Sequence, residues 1–557
     1  MAELNSSGIN CEDIPGTTHL VNTKINPAEL NETVKKEIVL IPHPSNNLND
    51  PLNWSHRRKL IQVFCLILFC YGGGVASCCI YPLLVAIAAD PSTNVTIDNL
   101  NNGTGYNFLF LGLGQFLMTP FAQQFGKRPA YLLAMLGNLV FCLWMPYVHS
   151  NGQWIASQIL SGLFYAPIES LPSNTITDLF FEHERGTYIG IYSVSLGTSN
   201  FIAPMLSGFV AEALGWKWAV KIAVIFDAVC LVAMFFLIEE TNYEREPGLE
   251  GEVTESEGIR LASTTFSNKN EDINCTVSPD TNFDKHMSTA ISNHEIEYHA
   301  GKGYWARLLL LSGARKKNHF FDYILMILHM FRFPPILWSG FLYGVSLFFY
   351  SIINTTESII LSAPPYNFST SMLGLAYLGP VIFVLLFYPY AGWSIDWIKI
   401  RKAKKHKGIS QAEDRLPVLF LFMILGPASL IIYGVGAAHG INWFGVIFGM
   451  GLMAGLSIVG ATSSITYALD CYPEAGMAGM AVVILIRNVM NFALDYGITP
   501  FIDNCGIQTT YIACAFICLG CIGTYFLMER TGLYWRKMTK GKYWHLVAKY
   551  RQRGVIQ

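Results

Sequence analysis

The 557-residue chain predicts an all-α integral membrane fold, twelve transmembrane helices in two six-helix halves, and three observations lead there. Hydrophobic residues make up 52% of it and charged residues only 14%, against about 25% charged in ordinary soluble proteins. The mean hydropathy is +0.36 with every polar segment included, so the rest is apolar enough to need a bilayer around it. The apolar stretches number twelve and fall in two blocks about one long polar interruption. A soluble enzyme and a disordered chain are excluded. The net charge of −2, with its bases in short runs, points to no nucleic-acid partner.

Each crossing of about 30 Å of hydrocarbon takes roughly 20 apolar residues. Residues 1–57 are polar, with no short apolar run ending at a cleavage site, so the first span itself targets the chain. The first half, 58–238, holds spans at about 60–88, 106–125, 130–148, 154–179, 189–211 and 219–238. A polar linker, 239–335, follows; its 252–300 stretch, rich in Ser, Thr, Asn, Asp and Glu, is expected to be disordered. Tyr304, Trp305, Arg307, the leucines 308–311, Arg315, Lys316 and Lys317 read as an amphipathic segment on an anionic leaflet. The second half, 336–528, holds spans at about 336–361, 371–392, 416–437, 443–469, 477–502 and 509–527, and 529–557 is a short basic tail.

Lys and Arg set the orientation. With the N-terminus cytoplasmic, the inside segments hold Arg57, Arg58, Lys59, Lys127, Arg128, Arg185 and the run from Lys399 to Arg415, while the short outside loops hold only Lys217 and Lys221. Both termini are then cytoplasmic. Sequons at Asn94, Asn102 and Asn367 fall outside on this assignment, and those at Asn53 and Asn274 fall inside. Eleven of the thirteen cysteines lie in or beside apolar runs, without metal-ligand spacing, and read as small core residues. No cofactor, metal or catalytic set is expected.

Motifs recur in the two halves. Phe125-Gly126-Lys127-Arg128-Pro129 after the second span, and Gly392-Trp393-Ser394-Ile395-Asp396 with Arg401-Lys402 after the eighth, resemble the cytoplasmic loop signature of the major facilitator superfamily. The first copy departs from it, with Gln123 and Gln124 where the acid and arginine stand. Ala203-Pro204-Met205-Leu206-Ser207-Gly208 resembles the fifth-span motif of drug:proton antiporters, and Pro204 and Gly208 would let neighbouring helices approach closely. The arginine that many such antiporters carry early in the fourth span is replaced by Ser157. Asp50-Pro51-Leu52-Asn53-Trp54-Ser55, residues 162–169 and residues 178–186 resemble the fungal Hol-type carriers, a branch that includes a high-affinity polyamine transporter also acting on other small cations. The likeness runs from about 50 to 540 and implies the major facilitator fold, alternating access and a monomer in the plasma membrane.

Ionisable groups at membrane depth cost at least about 2.5–3.5 kcal/mol and mark function unless a partner neutralises them. Glu169 lies mid-way along the fourth span, with Tyr165 and Ser173 expected on its face and Pro172 loosening the backbone. Desolvation favours its protonated form and an arriving cation its ionised form, which couples proton release to cation capture. In the seventh span Phe348, Phe349, Tyr350, Asn354 and Glu357 combine aromatic faces with a carboxylate suited to an alkylammonium. Tyr467 and Asp470 in the tenth span and Tyr81 in the first complete the candidate substrate site, since the resembled fold lines its cavity with these helices. The structural reading stays open for each: an aromatic stripe packs more often than it binds, and Asp470 also reads as a helix-end anchor. Asp227 in the sixth span is a second proton-coupling candidate. Asp178 with Arg185 is expected as an interfacial gate or an ion pair, and Arg487 and Asp495 as gating or structural groups that pair with each other or engage neighbouring helices, alongside Asp396.

The chain therefore reads as a proton-coupled secondary carrier of small organic cations, polyamines (spermidine, spermine, putrescine) foremost. Its partners are protons, a small cationic substrate and the bilayer. The alternative is a multidrug:proton antiporter exporting cationic or amphipathic compounds. A nontransporting nutrient receptor on the same scaffold would carry a long tail of partner motifs, and 529–557 is short.

Overall fold

A backbone inside hydrocarbon must satisfy its own hydrogen bonds, and the chain does so with helices. The computed structural model describes residues 14–19, 47, 49–243, 303–309, 317–405 and 409–555. The stretch expected to be disordered, Asn274, Arg315 and Lys316 lie outside the described residues.

The first half is built from His56–Cys78, Ile97–Phe125, Lys127–Trp144, Asn151–Tyr165 continued by Leu171–Leu179, Glu182–Leu214 and Trp216–Leu237. The second is built from Pro334–Ser362, Thr370–Ala376 continued by Leu378–Lys405, Leu419–Ala438, Trp443–Cys471 and Gly476–Gln552. Gly506, at φ +77°, divides the last into an eleventh and a twelfth span. Gly126, at φ +114°, reverses the chain between the second and third spans in the same way, a conformation that costs a residue without Cβ nothing. Among the described residues nine helices are long and apolar enough to cross a membrane. One of those nine contains both spans about Gly506, and the second and fourth spans fall outside the nine, so the arrangement is consistent with the twelve expected. Those two spans bury Asn101, Gln115, Gln123, Ser157, Gln158 and Ser161 against other helices, which is what dilutes their hydropathy.

The outer surface is apolar where lipid would lie, with Val229, Val232, Leu386 and Phe516 all exposed. Inside, where lipid offers no hydrophobic drive for helices to associate, small residues bring backbones together. A Cβ on Gly449 of the tenth span would stand 3.0 Å from Ser429 O of the ninth, and one on Gly455 would stand 3.0 Å from Phe383 O of the eighth.

The halves meet along the second and eleventh spans and along the fifth and eighth, and they also close on each other at the end away from the chain termini. There Phe201 of the fifth span meets Tyr350 of the seventh edge-on at 5.3 Å. Tyr106 of the second meets Phe492 of the eleventh at 5.3 Å, and Asn101 Nδ2 donates to Thr499 Oγ1 at 3.2 Å.

Both polar terminal segments carry structure at the terminus-bearing end. The twelfth helix runs on through the basic C-terminal segment to Gln552. Tyr543, Leu546, Val547 and Tyr550 recur at i, i+3, i+4 and i+7 and are all buried, Tyr543 against Phe333 and Tyr472. The polar N-terminal segment is also partly anchored. Thr17–His19 pairs antiparallel with Ile409–Gln411, and Arg536, ion-paired to Glu413, donates to Thr17 Oγ1 and to the carbonyl of Pro15. In the linker, Tyr304–Arg307 is helical, with Tyr304 donating to Phe236 O at 2.8 Å, and a longer amphipathic helix, Phe320–Met330, follows. The eleven described cysteines are free thiols, most of them buried, with Cys505 exposed.

Candidate transport site

Pro167 interrupts the fourth span, so Ala166–Glu169 winds as a 3-10 turn between two α-helical pieces. The turn rotates Glu169 away from its helical neighbours, and the shared face expected for Tyr165, Glu169 and Ser173 does not form. Tyr165 points into the first half, its hydroxyl donating to Phe69 O at 3.1 Å and its ring filling the space a Cβ on Gly73 would need. Ser173 Oγ donates to Ser170 O. Tyr165 is thereby a packing residue rather than a cavity residue.

Glu169 faces the other half. Its Oε1 is ion-paired with Arg487 Nη1 of the eleventh span. Of the two alternatives open for Arg487, Asp495 on its own helix or a neighbouring helix, the geometry takes the second, because two helical turns along one helix cannot bring the groups together as a facing helix can. Arg487 also donates to Asn488 Oδ1 at 2.6 and 3.1 Å and to the Tyr343 hydroxyl at 3.2 Å, and its guanidinium lies 5.1 Å from the Tyr343 ring centre.

Nearer the far end is a second acidic group. Glu357 is fully buried, and neither of its oxygens meets hydrogen-bond geometry with a described residue. Tyr350, Tyr377 and Tyr433 lie within electrostatic reach of it. The Tyr377 hydroxyl donates to Asn354 Oδ1 at 2.7 Å, which places Asn354 in the same group. Asp495 accepts from Thr355 Oγ1 at 3.4 Å with Oδ1, while its Oδ2 has no partner among the described residues. Tyr81, in a 3-10 turn after the first span, is within electrostatic reach of Asp495, Tyr350 and Tyr377. The seventh-span set and Tyr81 therefore converge, and Asp495 joins them as an acid of the cluster. Tyr343, Tyr377, Tyr433, Asn488 and Asn491 were not singled out in the sequence; only the unusual buried Asn488 and Asn491 beside Arg487 signalled them.

Tyr467 and Asp470 lie apart from this cluster. Tyr467 is wholly buried, edge-on to Trp338 at 5.4 Å. Asp470 Oδ2 is held by Lys399 Nζ at 3.2 Å and Arg415 Nε at 2.8 Å, so it anchors the end of its helix to a base on the eighth-span helix and one on the 3-10 helix Ala412–Val418, and is not a substrate ligand in this arrangement. Asp227 also stays inside the first half. Its Oδ2 accepts from Asn138 Nδ2 at 3.4 Å, and Asn138 in turn accepts from Ser161 and Ser77.

At the terminus-bearing end Asp178 pairs with Lys127 Nζ at 2.5 Å, because Lys127 opens the adjoining third span and is buried there. The side chains of Arg185 and Asp396 lie outside the described residues. The acid missing from the first loop motif is supplied from elsewhere: Glu240, beyond the sixth span, accepts the backbone N–H groups of Lys127 and Arg128 at 3.0 and 3.1 Å. Burial pushes the Glu240 carboxyl up, opposed by the N–H groups of Asn242, Lys127 and Arg128. Gly208 sits against Gly374 and the carbonyl of Thr370, and Pro204 O lies beside Gly374, both within the contact between halves. A separate apolar groove of about 540 Å³, lined by Phe121, Pro129, Leu132, Leu136, Val232 and Phe235 among others, opens on the outer surface.

Comparison with known proteins agrees with this architecture. The family described as Major Facilitator Superfamily matches residues 63–494. An uncharacterized MFS-type transporter of Schizosaccharomyces pombe is 28% identical over 96% of this chain and 94% of its own. Protein HOL1 of Saccharomyces cerevisiae is 26% identical over 97% and 98%, and the MFS antiporter QDR3 of Candida albicans 22% over 94% and 84%. Among solved structures, the xylose transporter XylE from E. coli, in a partially occluded inward open conformation, aligns with a TM-score of 0.55 at 11% identity, covering 84% of this chain and 97% of that one. The human organic anion transporter MFSD10 aligns at 0.52 and 15%, covering 84% and 99%.

Proposed function

The chain belongs to the major facilitator superfamily and is a multi-pass membrane transporter, and from that premise we propose that it is a proton-coupled carrier of small organic cations, polyamines foremost. The observation that carries the reading is Glu357, a wholly buried carboxylate with no base beside it among the described residues, set among Tyr350, Tyr377 and Tyr433. Tyrosine faces and a carboxylate suit an alkylammonium group through cation–π attraction and charge pairing. Asp495 adds a second acid to the cluster, so that a diamine would meet one carboxylate for each of its ammonium groups. Buried polar atoms are normally hydrogen-bonded, and exceptions cluster where a ligand is bound; Glu357, Asp495 Oδ2, Tyr350 and Asn491 Oδ1 are such exceptions here.

Glu357 is fully buried, so a cation reaches it when the halves rock. The far ends are closed on each other in this arrangement, which with cytoplasmic termini is the outward-closed state. A proton and a cation compete for the same carboxylate oxygens, and that competition is the coupling; Asp227 offers a second protonation site inside the first half. The carrier acts as a monomer in the plasma membrane with both termini cytoplasmic.

A second reading is favoured by the likeness to a protein named an MFS antiporter and to one named for quinidine resistance, together with the Pro204–Gly208 motif. In it the chain exports cationic or amphipathic drugs against protons. A thermal-shift screen of the purified protein across spermidine, amino alcohols and lipophilic cations separates the two. Saturable stabilisation by spermidine, lost in Glu357→Gln, supports the first reading; stabilisation by lipophilic cations alone overturns it in favour of the second.

A further inference from the structure

The ion pair between Glu169 and Arg487 joins the two halves at mid-span. A carboxylate left bare at that depth costs several kcal/mol, so the pair fixes what the empty carrier must do with Glu169. Arg487 also has a second seat already built. Asn488 Oδ1 receives two of its N–H groups and the Tyr343 hydroxyl a third, with the Tyr343 ring beside the guanidinium. These contacts stay with Arg487 when Glu169 is taken away, because Tyr343 and Asn488 belong to its own half. Glu169 Oε2 has no partner among the described residues and is free to accept an incoming N–H group.

We infer that Arg487 is a resident counter-cation, which an ammonium group of the substrate displaces from Glu169 and which returns when the substrate leaves. This rests on the cationic reading above. Glu169 is then neutralised on both legs of the cycle, by substrate on the loaded leg and by Arg487 on the empty one. The displaced guanidinium remains on Asn488 and Tyr343, so no charge leaves the protein. Specificity follows as well: only a group that out-competes a tethered guanidinium for a carboxylate is accepted, which selects primary and secondary ammonium donors over quaternary ones that carry no N–H.

The test separates two fluxes in proteoliposomes with labelled spermidine. Counterflow exchange requires only the loaded leg, whereas net uptake also requires the empty carrier to return. In Arg487→Gln the ratio of net uptake to exchange should fall about tenfold or more, the penalty of returning with Glu169 uncompensated. Arg487→Lys, which keeps a tethered cation, should recover most of it. Glu169→Gln/Arg487→Gln removes the need for compensation and should restore the ratio while weakening binding. If Arg487→Gln does not fold, the double variant decides: a wild-type ratio supports the inference and a reduced one overturns it. An unchanged ratio in a folded Arg487→Gln overturns the inference and leaves the cation reading standing. Absence of any spermidine exchange by wild type overturns that reading, and the inference with it.

Discussion

Gly208 of the fifth span and Gly374 of the eighth back onto each other across the two halves, so closely that a Cβ on Gly208 would lie 2.9 Å from the Gly374 Cα and 2.6 Å from the Thr370 carbonyl oxygen. Backbone at such distances cannot yield as a side chain can. Gly208→Val should therefore wedge the far ends apart and shift the population away from the closed arrangement. Spin labels placed near the far ends of the fifth and eighth spans should report a longer mean separation than in the unsubstituted protein. An unchanged distance would mean that this contact does not govern closure.

Glu357→Gln keeps the volume and removes the charge. With no basic neighbour to strand, the variant should fold normally, yet lose the charge pair to an ammonium group. Charge-assisted hydrogen bonds contribute about 1.5–3 kcal/mol, so the half-saturating spermidine concentration should rise about 10- to 100-fold. Concentration-dependent uptake measures it directly.

At the terminus-bearing end Asp178→Asn strands the Lys127 ammonium, which is 4% exposed and, among the described residues, keeps the Asn174 carbonyl at 3.0 Å. Wholly buried pairs lose about 3–5 kcal/mol on such cuts; Asp178 is 29% exposed, so about 2 kcal/mol is expected here. Thermal melting in detergent should fall accordingly, and Lys127→Gln/Asp178→Asn should recover part of the loss.

Asp90 ties the first loop to the sixth span. The N–H and hydroxyl of Ser92, and then the Trp216 indole at 2.9 Å, hold its carboxyl well below the usual range. A carboxyl lowered in the folded state stabilises fully above its unfolded pKa, near about 4, and loses that contribution as pH falls through the folded value. Melting temperature should decline on acidification below about pH 4, with a shallower decline in Asp90→Asn. Equal slopes would remove Asp90 from the acid response.

How far the sequence carries follows from what each feature depends on. The spans were legible because about 20 apolar residues have no other explanation, and the linker because its polarity breaks that pattern. Side-chain direction was not, and Glu169 shows why: one proline replaces an α-helical turn with a tighter one, and every face inferred from a 3.6-residue repeat shifts beyond it. Asp178, Asp470 and Arg487 were recognised as membrane-depth or interfacial charges, but their partners come from helices far away in the chain. Pairs such as Lys127 with Asp178 have no local signature. Helix beyond 528 was not legible, because Lys and Arg mask the repeat Tyr543, Leu546, Val547 and Tyr550. Glu357, Asn354 and Tyr350 can be grouped from the sequence because one uninterrupted helix carries all three.

The central claim is that protons drive an organic cation onto a buried acid of this bundle. Labelled spermidine uptake into proteoliposomes, with and without an outwardly directed proton gradient that draws protons out as the cation enters, addresses it most directly. Accumulation that depends on the gradient, and that is lost in Glu357→Gln, is the predicted result. Equal spermidine content with and without the gradient, or gradient-driven uptake that survives in Glu357→Gln, would contradict it.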